Sequence, residues 1–127
     1  MPTNVRVIHA TDFIRAKPEG PAYLEDAEKL LHDIVRAGAG LDDFEVLVDS
    51  RSVSGALSAT DLWRLAERLT EFRDGFAHKT AILCPQEKFD LSRFFALCAE
   101  NRGFNVRAFT SYEEAMEWLI GPQSGAG

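Results

Sequence analysis

No run of apolar residues in this sequence approaches the ~20 that a membrane-spanning helix requires, so a helical membrane span is excluded. Nor is there a basic stretch: 14 Lys and Arg residues are scattered against 20 Asp and Glu, for a net charge of −6. That balance excludes general nucleic-acid binding, which needs a basic surface to neutralise phosphates, and it disfavours anionic membrane surfaces for the same reason. Cysteine is scarce. Cys84 and Cys98 are the two present, they fall in different predicted settings, and no disulfide framework follows. No His, Cys, Asp or Glu spacing matches a zinc or calcium site, so no metal is expected. Glycine-rich phosphate loops are missing as well, because Gly38-Ala-Gly40 follows a helix instead of leading from a strand into one. The opening Met-Pro-Thr-Asn-Val-Arg-Val has neither the basic start nor the apolar centre of a signal peptide. These absences point to a reduced, cytoplasmic protein without a cofactor.

What is present is the composition of one globular domain. With 127 residues, 46% of them hydrophobic and 27% charged, the chain is long enough for a real core. Residues 1–120 are expected to form that domain. Residues 121–127, Gly-Pro-Gln-Ser-Gly-Ala-Gly, have almost nothing apolar to bury and are expected to be a disordered tail.

Periodicity divides the domain into alternating elements. Val5 to His9 and Phe13 to Ala16 read as strands, with Thr11 and Asp12 as a tight connection that favours an antiparallel pair. Pro18, Gly20 and Pro21 then break the chain. Tyr23 to Ala37 predicts a helix with Leu24, Ala27, Leu31 and Ile34 in one stripe. Phe44 to Val48 is a near-continuous apolar strand, as expected when both faces are covered. A helix from Ser58 to about Phe72, a strand from Lys79 to Cys84 and a helix from about Asp90 to Arg102 follow. A strand from Val106 to Phe109 and a helix through Leu119 complete the order ββαβαβαβα. Three consecutive strand–helix units need crossovers, which predicts a mostly parallel sheet with helices on both faces and an antiparallel edge.

The segment after the central strand carries the clearest functional signal. Loops at the carboxyl ends of sheet strands are where open α/β folds place their sites. Here the strand ends on Asp49, and Ser50, Ser52, Ser54 and Ser58 follow with Gly55 among them. Ser58-Ala-Thr-Asp61 matches a capping box, which makes Ser58 a helix N-cap worth ~1 kcal/mol. Ser54 and Ser58 are also the candidate phosphorylation sites, since a phosphate at a helix N-terminus meets free N–H groups. Asp49 as a metal ligand or phosphoacceptor would need further carboxylates at the first strand's end and a lysine after the last strand. Ile8-His9-Ala10 and Phe109-Thr110-Ser111 stand there instead. Asp49 is therefore expected to bond loop N–H groups in an Asx-type turn.

A nucleophilic Cys84 would need a base and an electropositive setting, and His9, His32 and His78 are not placed to supply one. Cys84 and Cys98 read as small core residues. Trp63 lies about 100° around its helix from Leu62 and so borders the core stripe, half exposed. Such a tryptophan covers a core edge or anchors a partner. Phe94 and Phe95 are expected to face inward with Leu91 and Cys98.

Glu45-Val-Leu-Val-Asp49-Ser-Arg-Ser-Val-Ser54-Gly and the helix that follows it resemble the centre of a STAS domain, the sulphate-transporter and anti-sigma-factor-antagonist family. The closing Val106-Arg-Ala-Phe109-Thr-Ser-Tyr-Glu-Glu-Ala115-Met-Glu-Trp118-Leu119 resembles the end of the small SpoIIAA-like proteins of that superfamily. The resemblance implies a STAS-like α/β fold with a sheet of four or five strands and a non-enzymatic regulatory role. It also implies a serine, here Ser54 or less directly Ser58, phosphorylated by a partner kinase. The family's Asp-Ser-Ser-Gly is replaced by Ser52-Val53-Ser54-Gly55. The leading expectation is a module that docks a protein partner, a kinase or anti-sigma-like regulator, through Asp49, Ser50, Ser52, Ser54, Gly55, Ser58 and Trp63, with a homodimer as a further candidate assembly. The alternative is a binder or carrier of an apolar small molecule or lipid, which SpoIIAA-like proteins also suggest. An enzyme using Cys84 or Asp49 ranks last.

Overall fold

The computed structural model describes residues 3–8, 13–41 and 44–121. The expected Thr11–Asp12 connection, His9 and the tail beyond Gly121 lie outside the described residues. Among the described residues there are seven strands and four α-helices. They are β1 (Thr3–Ile8), β2 (Phe13–Pro18), β3 (Gly20–Pro21), α1 (Leu24–Ala37), β4 (Glu45–Asp49), β5 (Val53–Ser54), α2 (Ala59–Arg68), β6 (Lys79–Leu83), α3 (Phe89–Glu100), β7 (Asn105–Phe109) and α4 (Tyr112–Ile120).

The main sheet has five strands in the order β1-β2-β4-β6-β7. β1 pairs antiparallel with β2, and every other neighbour is parallel. The mixed, mostly parallel α/β architecture with an antiparallel edge is thus the expected one. Each new parallel strand is added on the same side of the last. Successive crossovers of one hand then place their helices on one face, and α1, α2 and α3 do pack together there over Ile14, Ala16, Val46 and Val106. Among the described residues α4 covers the other face, setting Ala115 and Leu119 on Phe13, Leu47, Ala81 and Leu83. Strand alternation divides the two sets: Val46 and Val48 point to the three-helix side, Leu47 to the α4 side. Lys79 is buried at the start of β6, and its Nζ donates to the Trp118 and Gly121 carbonyls at 2.7 and 3.1 Å, which satisfies the end of α4.

Three local expectations are corrected. The second helix stops at Arg68, and residues 69–76 continue as 3₁₀ turns with Phe72 at φ −128°, ψ 35°. The cause is packing against α1. Leu69 and Phe76 are both buried, Phe72 meets His32 edge-on at 4.7 Å, and Gly75 lies so close to Val35 that a Cβ there would come within 2.5 Å of it. Phe94 is exposed, because α3 turns Phe95, Cys98 and Ala99 inward instead. Finally, Gly20–Pro21 is more than a break. It pairs in parallel with Val53–Ser54 as a second, two-stranded sheet. The Ala22 N–H donates to the Ser54 carbonyl at 3.0 Å to extend it.

Candidate functional site

The Asp49–Trp63 segment is pinned from its first residue. Asp49 is fully buried at the end of β4. Its Oδ1 accepts from the Arg51 backbone N–H at 3.1 Å, the expected Asx-type turn, and from Arg51 Nε at 2.9 Å. Oδ2 accepts from Arg51 Nη2 at 2.9 Å and from Arg15 Nη2 at 3.5 Å. Burial alone would raise the Asp49 pKa, but the Arg51 hydrogen bonds outweigh it and hold the carboxyl below the usual carboxylate range. Asp49 is expected on a contact surface, but its side chain is fully buried. It positions Arg51 instead.

The serines divide by what their hydroxyls do. Ser50 is tied inward, with both its N–H and its Oγ donating to the Leu83 carbonyl at 2.8 and 3.0 Å. Ser58 caps α2, its Oγ accepting from the Asp61 N–H at 3.1 Å. Ser52 and Ser54 are exposed. Gly55 has φ +69° with open space around it, so its backbone, not crowding, is what favours glycine there. Trp63 is 45% exposed, half-covered as expected, with the Arg102 guanidinium 5.1 Å from its ring centroid. Thus residues 50–58 run as a strap. β5 pairs with β3, and Lys88 Nζ donates to the Val53 carbonyl at 2.6 Å.

Beneath the strap lies a cavity of about 190 Å³ between the sheet and the three-helix layer. Val48, Thr80, Ile82 and Val106 form its floor. Leu30, Leu65, Leu69 and Phe95 form its walls, and Val53, Ala56 and Leu57 of the strap bound one end. The lining is almost wholly apolar. The Tyr23, Ser50, Thr80 and Ser92 hydroxyls are among the exceptions, and Thr80, 5% exposed in the middle of the sheet, has a fully buried Oγ1 with no hydrogen-bond partner among the described residues. Sequence reasoning did not single out Thr80. The available signal was a hydroxyl inside an otherwise buried strand, Lys79–Leu83, on the face that helices cover.

Cys84 follows β6 and is buried, with its Sγ 3.5 Å from the Phe109 carbonyl. Burial pushes its thiol pKa up, against a weaker opposing effect from a Ser92 hydrogen bond. Thiolate nucleophiles need the opposite environment. Cys98 is buried in the core. Among the described residues no group of three His, Cys, Asp or Glu side chains is placed to hold a metal ion, and no helix is long and apolar enough to cross a membrane.

Comparison with solved structures gives the class. The chain superposes on an uncharacterised protein of the DUF3478 family from Shewanella loihica PV-4, whose crystal structure at 2.25 Å has a SpoIIAA-like fold. The TM-score is 0.63 at 18% identity, over 94% of this chain and 93% of that one. No protein-family model and no curated protein matches the chain. The fold is therefore SpoIIAA-like, of the STAS type. That is the level at which the sequence resemblance holds, and a fold alone assigns no activity.

Proposed function

We propose that the protein is a cytoplasmic, non-catalytic STAS-type binding module whose cavity takes an apolar small molecule. The cavity under the strap carries this reading. Sites for small molecules are concave, mostly apolar and pre-formed, with a few polar groups. The space is half open, so its apolar lining faces solvent when nothing fills it, and an apolar ligand would take that surface out of water at ~25 cal/mol per Å².

Native mass spectrometry of protein purified from its own host tests the proposal, and the same spectra report whether the chain is a homodimer. A co-purifying apolar ligand, or saturable uptake of an added alkylbenzene, is expected. Protein that is ligand-free and takes up no hydrocarbon would overturn it.

A second reading, docking of a protein partner such as a kinase or anti-sigma-like regulator, is favoured by the exposed Ser52 and Ser54 and the half-exposed Trp63. Phosphorylation at Ser54 fits it better than at Ser58, whose hydroxyl already caps α2. Substituting Ser54, Ser58 and Trp63 together should abolish partner capture; unchanged capture would sink this reading.

A further inference from the structure

Among the described residues, Lys88 is the only charged side chain in the lining of the space under the strap. It immediately precedes α3 and is partly exposed, which puts it at the rim. Its Nζ donates to the Val53 carbonyl at 2.6 Å, and Val53 lines the same space, so the charge is held against the strap. An ammonium carries three donors, and this bond uses one. None of the ion pairs among the described residues includes Lys88. Glu87 and Asp90, the acidic residues nearest to it in sequence, are exposed and do not line the space. Lys88 is thus a partly desolvated cation set on a neutral carbonyl, beside apolar surface, with donors to spare. An anion placed there would return some of the desolvation cost. Of the lining hydroxyls, Ser50 and Ser92 are engaged with the Leu83 carbonyl and Cys84, and Thr80 Oγ1 is sealed within the sheet. Tyr23 is exposed at 61%, and its phenol can also donate to an anion.

From this we infer that the space takes a compact amphipathic acid, with an apolar ring or short chain inside and a carboxylate at the rim on Lys88. The inference rests on the apolar-ligand reading above and adds to it a headgroup and an orientation. Size bounds the apolar part. A protein cavity of ~150 Å³ holds benzene, so about 190 Å³ admits a ring with one or two added carbons. The open side suits the headgroup. A carboxylate there keeps part of its water while it meets Lys88, which avoids the large penalty of burying a charge. The protein's net charge of −6 is screened beyond ~8 Å at physiological salt, so the adjacent cation decides the sign that is favoured. A neutral hydrocarbon would leave the spare Lys88 donors unfilled, and an organic cation would be repelled at the same place.

4-Ethylbenzoate and 4-ethylbenzamide share a shape and differ in charge, and 4-ethyltoluene reports on the apolar space alone. Calorimetric titration of all three into wild type, Lys88→Met and Lys88→Arg gives the preference for acid over amide in each. Wild type should prefer the acid. Lys88→Met should lower that preference about five- to tenfold, the effect of a charge-assisted hydrogen bond discounted for solvent screening, and leave 4-ethyltoluene affinity intact. Lys88→Arg, which keeps the charge, should retain the preference. Because Lys88→Met also removes the bond to the strap, wild type supplies an independent readout: the Lys88 ε-methylene should show NOEs to the ring protons of bound 4-ethylbenzoate. An equal preference in wild type and Lys88→Met, no preference for the acid in wild type, or no such NOE would each overturn the role of Lys88 and leave the cavity reading standing. Binding of none of the three compounds to wild type would overturn both.

Discussion

Ala27 faces the cavity from α1 and is partly buried against the core. Ala27→Leu adds three carbons to that space. At ~0.8 kcal/mol per buried methylene the gross gain is ~2.4 kcal/mol. Ordering the larger side chain takes back ~0.5–1 kcal/mol, and the two residues have nearly equal helix propensity. A net stabilisation of about 1.4–1.9 kcal/mol follows, or roughly 6–8 °C in melting temperature for a domain of this length. The same carbons occupy ligand space, so affinity for 4-ethyltoluene should fall at least tenfold. Stability and binding thus move in opposite directions, a pairing that an ordinary surface or core change would not produce. Thermal melts of ligand-free protein and calorimetric titrations measure the two effects. A lower melting temperature would mean the site is already close-packed and the leucine overpacks it. Undiminished binding would mean the ligand lies elsewhere. Either result refutes the reasoning.

Other consequences can be measured independently. The folded Asp49 carboxyl titrates below its unfolded value of ~3.9, so its stabilisation is fully present above that value and lost as pH falls through the folded pKa. Asp49→Asn should therefore flatten the acid limb of stability against pH, and an unchanged limb in denaturant titrations would refute the Arg51–Asp49 assignment. Cys84, buried with a raised thiol pKa, should resist alkylation by iodoacetamide at pH 7–8 until the protein unfolds; rapid labelling of the native protein at this residue, located by peptide mapping, would contradict that environment. Ser58→Ala removes the α2 N-cap and should cost ~1 kcal/mol in urea melts, whereas a loss near zero would show that the cap contributes nothing.

The element order, the parallel sheet with its antiparallel edge and the N-cap at Ser58 were legible in the sequence by itself, because each depends on residues within a few positions of one another. Side-chain period, capping hydroxyls and the length of the crossovers are local properties. The turn made by Asp49 is local too, since its acceptor oxygen meets the N–H two residues on. The strap was not legible. Gly20–Pro21 and Val53–Ser54 are more than thirty residues apart, and only the placement of α1 between them brings the two loops together. The same holds for the second arginine on Asp49, which comes from β2.

The cavity was beyond sequence reading for a different reason. Leu31, Ile34 and Phe95 face inward by periodicity, and all three are buried in the core. Periodicity says which face turns inward but not how far apart two inward faces stand. That spacing is set by three helices sharing one face of the sheet, by the 3₁₀ turns that replace the end of α2, and by the strap across the strand ends. Apolar pattern determined that this chain would fold as an α/β layer protein; the tertiary packing alone decided that an apolar space would stay open between the sheet and the three helices, beneath the strap.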